Sequence, residues 1–406
     1  MEDEKVDDVV LQRHLPHELI TQHILTRLPV KSLLQFKSVS KQWYFSLSSY
    51  QFAHTHFQLS SFSLSSTPTQ FMFIQNLSNF YLFSCDDHDG DEIGSITVDR
   101  NKNLVKLGFD FDGDNLVLIG CCNGLVCLAS FSDYFFILWN PVTTQFRKYS
   151  DPDVFVDSTS NFRVSWGFGY VSGIDDYKVV RILELNTTLE IRVHVFSLKS
   201  NKWSRIANEL YQGVISLTTD ENEEEIESVL YYHREARFRF PYSIHLRQGV
   251  LINESLYWIA SDTNASSDCA RKIVVFDLVR ETFDTIGDLD LVSSDVYWDR
   301  IIFSMGGCLS KCGINKRDDV YIDILKGPGE VDRIHLSRDL RLRSCQGVFG
   351  FTRTSKFYIL LEDSTIGIVN PRAQPMKYTP VITFERLGKS RAANYVPSLI
   401  LPYTVA

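Results

Sequence analysis

No stretch of the 406-residue chain holds about eighteen consecutive apolar residues, so no transmembrane helix is expected. The opening Met1-Glu2-Asp3-Glu4-Lys5 is acidic and has no apolar core, which is not the pattern of a secretory leader. Cysteine is sparse at eight residues (Cys85, Cys121, Cys122, Cys127, Cys269, Cys308, Cys312 and Cys345), too thin for a secreted disulfide scaffold. These absences point to a reduced, soluble, intracellular protein of the cytoplasm or nucleus. The N-x-[ST] matches at Asn76, Asn186, Asn253 and Asn264 are then fortuitous. An excess of positive charge is also missing. A net charge of −9 argues against nucleic acid or an anionic membrane as the main partner. Catalytic signatures are absent too: no G-x-S-x-G, no H-E-x-x-H, no dinucleotide fingerprint. Gly327-Pro328-Gly329 is a turn, since no Lys-Ser/Thr and helix follow it. Cys308-x3-Cys312 and Cys122-x4-Cys127 lack a second pair of matching spacing, so they read as small core residues on strands, and no metal or cofactor is expected. Asp175-Asp176 and Asp112-x-Asp114 read as turn carboxylates.

What is present is aromatic weight, 13% with 28 Phe and 18 Tyr, which favours pleated, half-buried positions. Residues 1–12 read as a disordered acidic tail. Helical spacing follows over residues 15–57, in three pieces. Leu15-Pro16 opens the first, which carries Leu19, Ile20, Ile24, Leu25 and Leu28. Pro29 stops it, and Lys31 to Ser40 carries Leu33, Leu34, Phe36 and Val39. The third spans about Lys41 to Ser48 with Trp43 and Leu47. Ser and Thr crowd residues 60–69, so 58–69 reads as a linker.

From about residue 70 the period changes to short apolar runs between polar turns. A weak repeat recurs: Phe135 to Pro141 then Phe146 to Tyr149; Arg192 to Leu198 then Trp203 to Ile206; Lys272 to Asp277 then Phe283 to Ile286; Ile366 to Pro371 then Met376 to Tyr378. Each is a strand, a polar turn and a second strand. Further hairpins precede three of them, at Gly124 to Leu128, Gly249 to Ala260 and Gly347 to Leu361. Four strands per unit is the pattern of radially arranged sheets. Five units are visible from residue 116 onward, Ile301 to Leu336 being a degenerate one, and a sixth is expected within 70–110. The fold class is therefore a small all-α module followed by an all-β domain over residues 70–406, a β-propeller of about six blades, with a β-sandwich as the alternative. Trp139, Trp166, Trp203 and Trp258 are expected in blade cores. The terminal stretch Tyr395 to Leu401 is too apolar for a free tail and reads as a ring-closing strand.

Two resemblances are carried by particular residues. Leu15-Pro16-His17-Glu18-Leu19-Ile20, Ile24 to Val39 with Leu28-Pro29, and Lys41-Gln42-Trp43 resemble an F-box over residues 13–57. Ser40 stands where Cys is usual and Tyr50 where Pro is usual. Gly120 to Leu128, Leu138 to Pro141, Gly167 to Tyr170 with Asp175 to Val180, Val250 to Asn253 with Tyr257 to Ala260, and Tyr395 to Ile400 resemble the plant F-box-associated interaction domain of S-locus F-box-like and F-box-kelch-like proteins. The likeness weakens over residues 311–345. It implies a non-catalytic substrate-recognition subunit of an SCF-type, cullin-based ubiquitin ligase. The F-box would bind a Skp-type adaptor and, through it, a cullin scaffold. The β-domain would recruit a target protein for ubiquitination and proteasomal degradation. The adaptor-binding residues carried over are Leu15, Pro16, Leu19, Ile24, Leu28, Pro29, Leu33, Phe36, Val39 and Trp43.

Physical chemistry bears on both surfaces. About forty residues in short helices cannot bury that many apolar side chains among themselves. Residues 13–57 contain Arg13, Arg27, Lys31, Lys37 and Lys41 against Glu18 alone, a balance of +4 that suits the acidic adaptors of the resembled family. For the β-domain, Asp220 to Glu227 holds six carboxylates, followed by Arg234, Arg237 and Arg239 interleaved with Phe238 and Phe240. That segment is either a solvated loop or a target-contacting one. A different class of function is a propeller that binds a sugar or small molecule and is merely localised by its F-box. A propeller hydrolase is a third, and the absence of a catalytic constellation speaks against it.

Overall fold

The computed structural model describes residues 15–62, 70–76, 78–85, 104–109, 116–130, 135–150, 162–185, 191–207, 248–261, 271–286, 296–315, 320–327, 330–336, 345–351, 356–361, 365–370, 377–384 and 390–403. The acidic tail, the carboxylate run at 220–227, the arginines at 234–239 and Asp112 and Asp114 lie outside these residues. The chain divides into two compact units. One is Met1–Ser66 with Ser398–Ile400, and the other is Thr67–Pro397 with Leu401–Ala406.

The first unit is helical. Helix α1 (His17–Leu19) begins after Pro16 and widens into a π turn over Ile20–Ile24, then tightens into a 3₁₀ turn over Leu25–Arg27. Leu28 is extended (φ −86°, ψ 151°) because the ring of Pro29 forbids it the helical region, and Pro29 then leads into α2 (Val30–Phe36). Ser40 is extended and its Oγ accepts the Trp43 backbone N–H at 3.1 Å, capping α3 (Lys41–Leu47). The serine at the position where Cys is usual therefore has a local job. Ser49 Oγ likewise accepts from the Phe52 N–H at 3.2 Å and opens α4 (Tyr50–Phe62). This fourth helix replaces the first part of the linker expected from residue 58. Its inward residues are Phe52, Ala53 and His56, and a histidine in the apolar series hides the helical period. Leu25, Val30, Leu33 and Leu47 are the other buried apolar side chains among the described residues of this unit's helices.

The second unit is built from strands. Among the described residues, twenty-four strands form six four-stranded antiparallel sheets. Blade 2 is β4 (Leu116–Cys122), β5 (Leu125–Ser130), β6 (Phe135–Asn140) and β7 (Gln145–Ser150). Blade 3 is β8 (Phe162–Val171), β9 (Asp176–Leu185), β10 (Ile191–Ser197) and β11 (Lys202–Arg205). Blade 4 is β12 (Val250–Ile252), β13 (Ser255–Ser261), β14 (Arg271–Asp277) and β15 (Thr282–Ile286). Blade 5 is β16 (Val296–Met305), β17 (Cys308–Asn315), β18 (Val320–Gly327) and β19 (Glu330–Leu336). Blade 6 is β20 (Cys345–Phe351), β21 (Phe357–Leu361), β22 (Thr365–Asn370) and β23 (Lys377–Thr383). Blade 1 joins the two ends of the domain: β24 (Ser390–Tyr395) lies beside β1 (Gln70–Asn76), followed by β2 (Asn79–Cys85) and β3 (Leu104–Leu107). The leading strands β24, β4, β8, β12, β16 and β20 adjoin one another in that order and return to β24. The fold is a six-bladed β-propeller, as the repeat implied, and the stretch 296–336 is a full four-stranded blade with irregular register at Val296/Trp298, Asp299/Ile301 and Leu325/Gly327.

Closure differs in one respect from the reading of the sequence. The closing strand is Ser390–Tyr395, in register from Phe71↔Tyr395 to Asn76↔Ser390, and not Tyr395 to Leu401. Pro397 and Pro402 lack the N–H that a ladder needs, and Ser398–Ile400 belong to the helical unit. Ser390-Arg391-Ala392-Ala393-Asn394 has little strand propensity, so its pairing comes from its place in the ring.

The turns explain the repeat. Hairpins β4–β5, β12–β13 and β16–β17 use two-residue loops with both φ values positive: Asn123-Gly124, Asn253-Glu254 and Gly306-Gly307. Hairpins β6–β7, β10–β11 and β14–β15 use four-residue loops, with Thr144, Asn201 and Glu281 in the left-handed region. Asn140 Oδ1 accepts from the N–H groups of Val142 and Thr143, Asp277 Oδ1 from Val279 and Arg280, and Ser197 Oγ from Ser200. A short polar side chain at the end of the third strand is thus the repeating signal.

Aromatic side chains fill the blades. Trp139, Trp166 and Trp258 are buried, while Trp203 on an outer strand is half-buried. Trp139 meets Phe73 and Phe80 edge-on at 5.8 and 5.6 Å. Polar side chains latch neighbouring blades. Gln75 Oε1 accepts the Leu118 N–H at 2.7 Å while its Nε2 donates to the Leu116 carbonyl, and Arg391 donates to the Leu118 carbonyl at 3.0 Å. Lys178 donates to the Leu278 carbonyl at 2.6 Å and to Glu281 at 2.8 Å.

The contact between blades 3 and 4 leaves no room at Gly167. A Cβ there would lie 2.5 Å from Leu256 Cδ1 and 3.0 Å from Trp258 Cζ2, both buried. Gly167→Ala is expected to cost about 1–3 kcal/mol and lower the thermal midpoint by several degrees. A calorimetric midpoint equal to wild type would show that this contact is not tightly packed.

Candidate docking surface on the helical unit

The helical unit leaves large apolar side chains in water. Leu15, Leu19, Ile24, Val39, Tyr44 and Phe45 are all exposed, Phe45 by 69% and Val39 by 63%. Monomeric soluble domains scatter single apolar residues over the surface, and six within some thirty residues make this unit a candidate for docking a partner. Pro16 and Pro29 are exposed as well, and Leu28, Phe36 and Trp43 are half-buried. Leu33 departs from the set: it is fully buried and offers no surface. Position within the helix decides this, since Leu33 falls on the inward side of α2 with Val30.

The cap at Ser40 sets the rotation of α3. Trp43 turns back against Phe36, with ring centroids 5.6 Å apart and planes at 74°, and Leu47 is withdrawn. Tyr44 and Phe45 consequently face outward, as an edge-on pair at 5.7 Å. Reasoning from sequence missed both. The signal was available, because fixing the helix phase from Ser40 makes 43 and 47 one side and 44 and 45 another. His17 Nε2 lies 3.5 Å from Ser46 Oγ and ties α1 to α3. Arg27, Lys31 and Lys41 of this unit are exposed as well, and burial lowers the pKa of the half-buried Lys37.

The turn between α1 and α2 is held from α4. His56 Nε2–H donates to the Leu28 carbonyl at 2.8 Å, and its ring stacks on Phe52 at 6.2 Å. That bond satisfies the carbonyl just before Pro29, where the first helix ends. Burial lowers the His56 pKa, partly opposed by the bond to Leu28.

Among the described residues, no group of three or more His, Cys, Asp or Glu is gathered as a metal ion would need. Cys127 and Cys312 are buried on strands, and Cys121, Cys122 and Cys308 are half-buried. Burial pushes the Cys122 thiol up to about 12 and raises Cys121 and Cys127 as well, the opposite of what a reactive or metal-binding thiolate requires. Asp175 sits in a turn with φ 50°, and Asp176 accepts from Ser197 Oγ and the Lys199 N–H. No described helix is long and apolar enough to cross a membrane.

The F-box domain family matches residues 13–55, and the F-box associated beta propeller domain family matches residues 70–221. The chain joins an F-box domain to an F-box-associated propeller domain. The second match ends in the connection after β11, and the structure carries the ring through three further blades. Similar proteins are named for the F-box. The F-box/kelch-repeat protein At3g23880 of Arabidopsis thaliana is 28% identical over 335 residues, 81% of this chain and 80% of its own. F-box protein CPR1 of the same plant is 27% identical over 318 residues, 75% of this chain and 67% of its own. Here the F-box comprises α1 to α3 and the first half of α4.

Because the folded pKa of His56 lies below its ordinary 6.5, the ring is neutral in both folded and unfolded chains above that pH, and its contribution is fully present there. As pH falls from 6.5 through the folded value, the unfolded chain takes up the proton first and stability is lost. Amide exchange in α2 and α4 should therefore show weaker protection, corrected for intrinsic rates, at pH 5.5 than at pH 7.5. His56→Phe should flatten that difference. An equal difference in the variant would assign it to another group.

Proposed function

We propose that this chain is the non-catalytic substrate-recognition subunit of an SCF-type ubiquitin ligase. The F-box docks on a Skp-type adaptor and through it on a cullin scaffold, and the propeller holds a target protein for ubiquitination and degradation. The observation that carries this reading is the exposed apolar set Leu15, Leu19, Ile24 and Val39, with Pro16 and Pro29, on a module too small to cover it. Leu28, Phe36 and Trp43 support the surface from partial burial, and Tyr44 and Phe45 extend it. Leu33 acts from within the core. The receptor needs no reactive side chain for this role. It raises the effective concentration of a target lysine near a conjugating enzyme bound elsewhere in the assembly. The positive balance of residues 13–57 suits an acidic adaptor surface and should speed encounter at low salt.

Binding of the full-length chain to a purified Skp-type adaptor tests the reading. Burying one apolar anchor is worth about 1.5–3 kcal/mol, so Leu19→Ala and Phe45→Ala should each weaken binding by about ten- to a hundredfold. Val331→Ala, exposed on the outer strand of blade 5, should leave it unchanged. Equal affinities for all three variants and wild type would place adaptor docking elsewhere, and absence of binding by wild type would remove the reading.

A further inference from the structure

We propose that the outer strands of blades 2 and 3 form a cationic docking surface for an acidic, extended segment of a partner protein. Only the step that makes this partner the degradation target rests on the reading above. From Phe135 to Ser150 and from Ile191 to Ala207 there is no Asp or Glu, although the whole chain has 50 of them against 41 Lys and Arg. These two stretches hold the third and fourth strands of adjacent blades, β6–β7 and β10–β11. Arg147, Lys148, Lys199, Lys202 and Arg205 are exposed on them. A surface of one sign thus runs against the balance of a chain whose net charge is −9.

Aromatic packing brings the two outer strands together. Tyr149 of β7 meets Phe196 of β10 at 5.0 Å, and Trp203 of β11 meets Phe136 of β6 edge-on at 5.7 Å. The Trp203 indole N–H donates to the Ser150 carbonyl at 3.3 Å. Alternation along a strand puts Arg147 on the side of Tyr149 and Arg205 on the side of Trp203, so the two guanidinium groups flank this seam from opposite blades. The Arg147 guanidinium lies 5.4 Å from the centre of the Tyr149 ring. Charge on an outer strand also guards against strand-to-strand association, but mixed signs serve that purpose. Strand β19 is such a case, with Glu330, Asp332 and Arg333, and Lys326 of β18 pairs with Asp332. A single sign repeated on two neighbouring blades does something more: it attracts carboxylates and repels cations. The extended shape of the partner follows from the place of β7 and β11 at the ends of their sheets, where a chain can run along a strand. Nucleic acid fits this surface less well. Trp203 is half-buried and already packed by Phe136, Phe196 and the Arg181 guanidinium, so it is not a platform for a stacked base.

The test measures fluorescence anisotropy of the full-length chain with a labelled peptide of alternating glutamate and threonine, about ten residues long, and with its glutamine-for-glutamate copy. At low salt the glutamate peptide should bind about tenfold or more tighter than the copy, and salt should weaken it. Arg147→Glu combined with Lys202→Glu should weaken the glutamate peptide by about tenfold or more. Lys106→Glu combined with Arg280→Glu changes the net charge equally at exposed positions of blades 1 and 4, and should alter affinity by less than about threefold. Equal affinity for the two peptides, or equal loss in the two double variants, would overturn the surface. A single-stranded oligothymidylate that binds as tightly as the glutamate peptide, and is lost in the first double variant, would overturn the acidic-peptide occupant. Should the chain fail to bind any Skp-type adaptor, the peptide measurement still decides the surface, and only its use in target recruitment falls.

Discussion

The antiparallel pairing of β24 with β1 is the constraint on which the second unit depends. Each of the other five sheets is contiguous in sequence and is held by hairpins that form locally. Blade 1 alone joins residues more than three hundred positions apart, Phe71 with Tyr395 and Asn76 with Ser390. Without that strand β1 would present an open edge, and the hydrophobic faces of blades 6 and 2 would lose a neighbour. Gln75 and Arg391 reinforce the seam from its two strands, and both bond to the backbone of β4. Loop-closure entropy makes such a contact slow to form, so the ring is expected to be the last feature of the propeller to assemble.

The two units solve the problem of burial in different ways. The propeller stacks aromatic rings between sheets and withdraws most of its large described side chains there. Phe136 touches Tyr149, Phe196 and Trp203, with centroids 5.1 to 5.7 Å apart, and so binds blades 2 and 3. The helical unit has short helices broken by Pro29 and a π turn, and it retains exposed leucine, isoleucine and aromatic side chains. Widening of the helix over Ile20–Ile24 accompanies this, and such turns recur where a helix must present side chains off the regular register. A domain that satisfied all its apolar groups internally would have none left for a partner.

Much of this was legible in the sequence because the turns are written in residue types. Asn123-Gly124 and Gly306-Gly307 announce two-residue hairpins, and Asn140 and Asp277 announce the four-residue ones. Pro29 marks the break between the first two helices. What was hidden had physical reasons. Ser390–Tyr395 is a strand by context and not by propensity. Helix α4 was obscured because a buried histidine occupies an apolar position. Leu33 looks like its exposed neighbours in a one-dimensional pattern, and only the rotation of α2 separates it from them. Glu254 in the left-handed region is likewise unreadable from type: its carboxylate accepts the Ser172 N–H of blade 3, which gives a larger residue a reason to occupy a glycine-like conformation.

The tight hairpins have a consequence for how such a chain can diverge. In blades 2, 3 and 4, the turns joining first to second and third to fourth strands are two or four residues long and lie at one end of each sheet. The connections at the other end, residues 131–134, 151–161, 186–190, 206–249, 262–270 and 287–295, vary tenfold in length. The strand pairing of the described sheets is the same whatever those lengths, whereas one added residue in an Asn-Gly turn would invert every side chain beyond it. A duplicated copy of this scaffold is thus held most strictly at the rim of two- and four-residue turns, where any change of length must be matched across a whole blade.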